Sequence, residues 1–92
     1  MSLDDLFNIL KKKGFRDTFE ILTKFTNYKT DIHTFHKELN KFSYYNSFLR
    51  VKDKLIRKGL IIIETQNRTK FIRLTDKGIE VYHKLLEIND ML

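Results

Sequence analysis

Residues 43–60 constrain the fold more than any other part of the chain, because they carry the signals of one complete amphipathic helix. Three apolar side chains recur at the spacing of a single helical face: Phe48, Val51 and Leu55. Ser43 is a favourable N-cap, and Gly59 is the residue type that most readily adopts the left-handed conformation that ends a helix. We therefore predict a helix over residues 43–58 that packs against a core along one side.

The opposite side of this predicted helix is polar and largely cationic. At about 100° per residue, the side chains that point away from the apolar stripe are Asn46, Ser47, Arg50, Asp53, Lys54 and Arg57. Residues 41–58 contain six Lys or Arg and one acid, whereas residues 76–92 contain two Lys and four acids. The chain has a net charge of +6, and such a local basic surface is typical of nucleic-acid binding. The pattern fits a helix that enters a DNA major groove.

Length and composition favour one small, highly charged domain over residues 1–92. The chain has no cysteine, so neither disulfides nor thiolate zinc sites support the fold. Its longest apolar run, residues 60–63, is too short to span a bilayer, and residues 1–5 do not resemble a signal peptide. We expect a cytoplasmic protein with no membrane partner.

The remaining periodicity predicts a mostly α fold with a small β-hairpin, of the α+β class. Four further helices are predicted, over residues 2–13, 16–27, 31–40 and 75–90. Two strands are predicted over residues 60–65 and 70–74, joined by the polar segment 66–69. Gly14 is expected to close the first helix after a lysine run, Thr30 or Asp31 to cap the third, and Thr75 to cap the last.

Two motifs flank the predicted hairpin and carry a resemblance to a known family. They are LIRKGLI at residues 55–61 and RLTDKG at residues 73–78. With a hairpin of suitable length between them, the chain resembles winged helix-turn-helix transcriptional regulators of the MarR/HxlR/ArsR kind, over roughly residues 15–90. One departure stands in the wing, where Gln66 and Asn67 occupy positions at which many MarR proteins carry an acidic residue.

The resemblance implies that residues 43–58 lie in the major groove and that the wing, residues 66–69, contacts the minor groove or the backbone. The implied groove residues are Tyr44, Tyr45, Asn46, Ser47 and Arg50. Arginine can donate two hydrogen bonds to guanine, and asparagine can pair with adenine. The implied phosphate contacts are Lys54 and Arg57 on the helix, with Arg68 and Lys70 on the wing.

Each of these assignments has a structural alternative. Tyr44 and Tyr45 lie toward the edges of the apolar stripe and fit packing as well as DNA contact, and Asn46 also suits a helix start. The lysine run at residues 11–13 fits a solvated helix end as well as a binding segment. His33 and His36 have a spacing that can hold a metal, but without cysteine or a carboxylate cluster we expect no metal site.

The two ends of the chain carry more apolar surface than one packing contact requires. The predicted interface residues are Leu3, Leu6, Phe7, Leu10, Tyr82, Leu85, Leu86, Ile88 and Met91. The terminal helices either pack on each other within one chain or build a homodimer. We favour the homodimer, because the resembled regulators commonly dimerise through such helices.

These patterns together predict a dimeric transcriptional regulator that binds double-stranded DNA in a sequence-specific manner. We find no nucleophile–base pair and no glycine-rich phosphate loop, and we expect neither enzymatic activity nor a cofactor. Two other classes fit the residues less well: a winged-helix module for protein–protein interaction, and a protein that binds RNA or DNA without sequence specificity.

Overall fold

The computed structural model of the chain describes residues 3–41 and 45–92, and it has the predicted mostly helical α+β architecture. Its elements, in chain order, are α1 (Leu3–Leu10), α2 (Lys13–Leu22), a 3₁₀ turn (Thr26–Tyr28), β1 (Lys29–Asp31), α3 (Ile32–Asn40), α4 (Tyr45–Arg57), β2 (Ile61–Gln66), β3 (Thr69–Leu74) and α5 (Asp76–Met91). Among the described residues, no helix combines the length and apolar character needed to cross a membrane.

The three strands form one antiparallel sheet in the order β1-β3-β2. The hairpin of β2 and β3 was predicted, and its register pairs Ile61 with Leu74 and Gln66 with Thr69. The turn is shorter than predicted, because only Asn67 and Arg68 lie outside the strands, with φ of 50° and 68°. Positive φ at both positions suits a two-residue turn of type I′, whose twist matches that of the strands.

Strand β1 was not predicted, because residues 27–29 look like a polar break between helices. Thr30 of this strand is 8% exposed and lies opposite Ile72 of β3. A strand of three residues has too little alternation to be recognised locally. It forms because β3 offers it a row of backbone hydrogen-bonding groups.

The predicted boundary between the first two helices was wrong. Helix α1 ends at Leu10 and α2 begins at Lys13, so Gly14 lies inside α2 and does not close α1. Helix α2 also ends at Leu22, several residues before the predicted end. The chain leaves it through Asn27 and Tyr28, both with positive φ, and then enters β1.

The predicted cap of α5 and the predicted end of α4 are confirmed, and of the two candidate caps of α3, Thr30 and Asp31, the structure has Asp31. The backbone N–H of Thr34 donates to Asp31 over 2.9 Å, and the N–H of Gly78 donates to the Thr75 hydroxyl over 2.9 Å. Gly59, two residues after the last residue of α4, has a φ of 73°. The N–H groups of Gly59 and Leu60 donate back to carbonyls of the last turn of α4. Ser43, the predicted N-cap of α4, lies outside the described residues.

The core contains apolar side chains from α1, α2, α3, α4 and the hairpin. Its buried members are Ile9, Phe15, Phe19, Ile21, Leu22, Phe35, Leu39, Phe48, Val51, Leu55, Leu60, Ile61, Ile72 and Leu74. The predicted stripe of α4 is therefore buried. In α1, Ile9 is buried, whereas Leu3 and Phe7, two of the predicted interface residues, are exposed. Helix α5 contributes only partly buried side chains.

Candidate nucleic-acid interface

Helix α4 presents its predicted polar side to solvent. Asn46, Arg50 and Arg57 are exposed, and Ser47 and Lys54 are half-buried. The opposite side of the helix is sealed in the core, with Phe48 and Leu55 at 0% exposure. Asn46, Arg50 and Arg57 are therefore not covered by the described part of the chain. Tyr44 and the side chain of Tyr45 lie outside the described residues.

The apolar stripe of α4 determines which side of the helix faces the core. Its stripe packs against α2 and α3, and the rings of Phe48 and Phe35 meet edge to face with centroids 4.9 Å apart. Near the C-terminus, the guanidinium of Arg57 donates to the carbonyl of Asp53 over 3.4 Å. This contact holds a cation beside the negative end of the helix dipole, where it is favourable.

One edge of the α4 surface is apolar, which the sequence analysis did not single out. Leu49 is 45% exposed and Ile56 is 39% exposed, two turns apart on the same side. Leu49 and Ile56 are seven residues apart in the sequence, and this spacing places two side chains on the same side of a helix. The exposed surface of α4 therefore has a cationic part and a smaller apolar edge.

The hairpin presents its predicted cations at and beside the turn. Arg68 lies in the turn and Lys70 follows at the start of β3, and both are exposed. Behind them, the carboxylate of Glu64 lies between the basic side chains of Arg73 and Lys29. The carboxylate lies 3.3 Å from Nε of Arg73 and 3.9 Å from Nζ of Lys29.

Lys29 ties β1 to the hairpin through several groups. Its ammonium lies 4.6 Å from the centre of the Phe71 ring and donates to Gln66 over 3.3 Å. No local sequence pattern indicates this cluster, because it needs the pairing of β1 with β3. These contacts occupy Lys29 and Arg73 within the sheet and leave Arg68 and Lys70 as the exposed cations of the hairpin.

The structure also brings the first lysine run to the edge of α4. Lys11, Lys12 and Lys13 line a cleft of about 350 Å³, together with Gly14, Ser47 and Arg50. The three lysines are exposed. More than thirty residues separate this run from Ser47 in the sequence. The juxtaposition depends on how α2 packs against α4, and no local pattern indicates it.

The histidines of α3 do not lie in a cluster of metal ligands. In the described ranges, 3–41 and 45–92, no group of three or more His, Cys, Asp or Glu residues is placed to hold an ion. His33 is exposed and His36 is half-buried. Burial lowers the pKa of His36 below its ordinary value, and the nearby charges of His33 and Lys52 lower it further. The neutral form of His36 is therefore favoured.

The predicted interface residues divide into two groups. Leu6, Leu10, Tyr82 and Leu85 pack partly against the chain's own core, and Tyr82 stacks on Phe19 with ring centroids 5.9 Å apart. The others are exposed: Leu3, Phe7, Leu86, Ile88 and Met91. A groove of about 380 Å³ runs between α2 and α5, with Leu10 and Leu86 among its lining residues. Helices α1 and α5, at the two ends of the chain, thus both carry exposed apolar side chains. The two helices lie near each other, because Leu10 and Leu86 line the same groove.

The chain was compared with protein-family models, with curated proteins and with solved structures, and none of them matches.

Proposed function

We propose that this protein is a winged helix-turn-helix protein that binds double-stranded DNA as a dimer and regulates transcription. One observation carries the proposal: α4 is buried along one side, while its opposite side is open and offers Asn46, Arg50 and Arg57. The hairpin with an exposed cation at its turn follows α4 directly. This order of elements supports the winged-helix resemblance.

The dimensions of α4 suit a major groove. Its 13 residues make a rod of about 20 Å at 1.5 Å per residue, and the groove of B-DNA, about 12 Å wide, admits such a helix. In the proposed complex Arg50 donates two hydrogen bonds to a guanine edge, and Asn46 pairs with an adenine. Lys54, Arg57, Arg68 and Lys70 contact phosphates, which position the protein without reading sequence.

The dimer supplies the second half of the proposed site. Exposed apolar side chains on α1 and α5 would lose contact with water in a two-fold interface, at about 25 cal/mol per Å² buried. A symmetric pair of chains would present two α4 helices to half-sites about one helical turn, or 34 Å, apart. The proposed operator is therefore a pseudo-palindrome.

A second candidate function is supported by the apolar edge of α4. Leu49 and Ile56 are large apolar side chains that are more than a third exposed. Such an edge, rimmed by charged residues, also suits a protein partner that docks on α4. In that case the fold would serve as a protein–protein interaction module.

The test is a selection from random DNA duplexes, followed by footprinting of the enriched duplex and a salt titration. If 6–10 phosphates are contacted, affinity should fall by about 10³–10⁵ between 50 and 200 mM salt. The footprint should show two half-sites about one turn apart. Failure to enrich any sequence over random competitor DNA would contradict specific binding, and a shallow salt response with a protein partner would favour the second function.

A further inference from the structure

The cleft between the first lysine run and α4 is lined mostly by cationic side chains. Its charged lining residues are Lys11, Lys12, Lys13 and Arg50, and no carboxylate is among the lining residues described. Lys11, Lys12 and Arg50 place positive charge around a cleft of about 350 Å³, so an anion there is electrostatically favoured. The remaining polar side chain of the cleft, the Ser47 hydroxyl, can donate a hydrogen bond to such an anion.

The close packing of α2 on α4 creates this cleft. Gly14 lies in the first turn of α2, where a Cβ would overlap the carbonyl oxygen of Ser47. The absence of a side chain at Gly14 lets the two helix backbones come together. The lysines that precede Gly14 are thereby held beside the N-terminal half of α4.

We propose that this cleft binds a phosphate of the DNA backbone that borders the groove entered by α4. The inference rests on the proposed function. It adds a phosphate contact that the lysine run by itself does not indicate. Ser47, Arg50 and Lys54 follow one another at i, i+3 and i+7, so they line one edge of α4. In the proposed complex, the cleft continues this edge away from the DNA bases and toward the phosphates of one DNA strand.

The chemistry favours a backbone phosphate over the other partners of this surface. Ammonium groups bind phosphate oxygens as point charges, which the lysines of the cleft supply. A metal ion would be repelled by the four cations. The polar lining also distinguishes the cleft from the groove between α2 and α5, whose lining is largely apolar.

The test compares the double variant Lys11→Gln/Lys12→Gln with Lys84→Glu on the full-length chain. Both changes lower the net charge by two, and Lys84 is an exposed residue of α5 outside the cleft. Losing one phosphate contact per half-site, two per dimer, should flatten the slope of log affinity against log salt by about 1.8, so the affinity loss between 50 and 200 mM salt shrinks about twelvefold. Lys84→Glu should leave the slope unchanged.

A second measurement uses the selected duplex with single phosphates replaced by neutral methylphosphonates. The wild-type protein should lose affinity at one phosphate per half-site beside the α4 footprint, and the double variant should be insensitive at that position alone. Equal flattening by Lys84→Glu, or an unchanged methylphosphonate profile in the double variant, would overturn the cleft site while leaving DNA binding intact. If the wild-type protein does not bind any DNA duplex at 50 mM salt, the proposed function is contradicted, and the cleft site is contradicted with it.

Discussion

Glycine at two positions allows a helix to lie directly against the backbone of another segment. A Cβ at Gly14 would overlap the carbonyl of Ser47, and a Cβ at Gly78 would overlap the carbonyl of Leu60. Both glycines are buried inside helices, where glycine is otherwise less favourable than alanine by about 1 kcal/mol. Close packing offsets this cost, so the residue type is dictated by the neighbour rather than by the helix.

Gly14→Ala should therefore destabilise the protein, although the same change in an exposed helix would stabilise it. We expect a loss of about 1–3 kcal/mol in the free energy of unfolding, because α2 must move away from α4 to admit the methyl group. Urea unfolding followed by circular dichroism measures the change. Asn8→Ala, at an exposed position of α1, is the control and should have little effect. A raised unfolding midpoint for Gly14→Ala would contradict the packing argument.

Arg50 and Arg68 should differ in what their removal does to DNA binding. Arg50→Ala should reduce the preference for one base position, because a bidentate contact to guanine contributes about 1–3 kcal/mol of discrimination. Arg68→Ala should weaken binding to all sequences alike, because a turn arginine on the backbone reads no base. Binding titrations with the selected duplex and with single-base variants separate the two effects. If Arg50→Ala weakens specific and random duplexes equally, Arg50 does not read a base.

At the scale of elements, helix α3 depends on a local cap. The Asp31 carboxylate accepts hydrogen bonds from the hydroxyl of Thr34, over 2.6 Å, and from its backbone N–H. The hydroxyl, and then the backbone N–H, hold the pKa of Asp31 below its ordinary value. Because the folded-state pKa is lowered, the charged cap stabilises the fold above the ordinary pKa. That contribution is lost as the pH falls through the lowered value.

Asp31→Ala should lower the free energy of unfolding by about 1 kcal/mol at neutral pH, since it removes the cap. Asp31→Asn is the matched variant: asparagine is about as good an N-cap, but its side chain does not titrate. Urea unfolding at pH 7 and at several values below pH 4 should show the wild type losing stability relative to Asp31→Asn in acid. Parallel pH profiles for these two proteins would contradict the role assigned to the carboxylate.

The hairpin depends on contacts across three strands. Its turn is a local feature, since Asn67 and Arg68 adopt the positive φ that a two-residue turn needs. Its attachment to the rest of the molecule is not local, because Glu64 and Lys29 come from strands at opposite edges of the sheet. We therefore infer that β1 restrains the hairpin and the position of Arg68.

At the scale of the whole molecule, the apolar surface of α5 is larger than one chain covers. Leu86, Ile88 and Met91 are 42%, 52% and 83% exposed, whereas Tyr82 and Leu85 pack against the core of their own chain. The second half of α5 thus has an apolar surface that the described part of the chain leaves exposed, and the proposed dimer would cover it.

Ile88→Glu should convert the proposed dimer into monomers and greatly weaken operator binding. A charge placed in an apolar interface must be desolvated without a partner, which is strongly unfavourable. Light scattering gives the mass, and duplex titration gives the affinity. His83→Glu is the control, because it adds the same charge at another exposed position of α5 and should leave both unchanged. An Ile88→Glu protein with the mass of the wild type would remove α5 from the interface.

Several features of the fold could be predicted from the sequence because they depend on residues close together in the chain. The stripe of Phe48, Val51 and Leu55 is buried, Asp31 and Thr75 are caps, and Gly59 ends α4 with positive φ. Periodicity and capping act within one or two helical turns. The polar residues expected on the outer side of α4 follow from the same periodicity, once one side is known to be buried.

The tertiary structure decided what depends on distant segments meeting. Strand β1 forms through its pairing with β3, and Gly14 lies within α2 because Ser47 requires close packing there. The cleft that joins the first lysine run to Arg50 has the same origin. Which of the apolar residues on α1 and α5 remain exposed was also decided in three dimensions. Such contacts depend on how whole helices and strands pack against one another, so the neighbouring residues in the sequence do not indicate them.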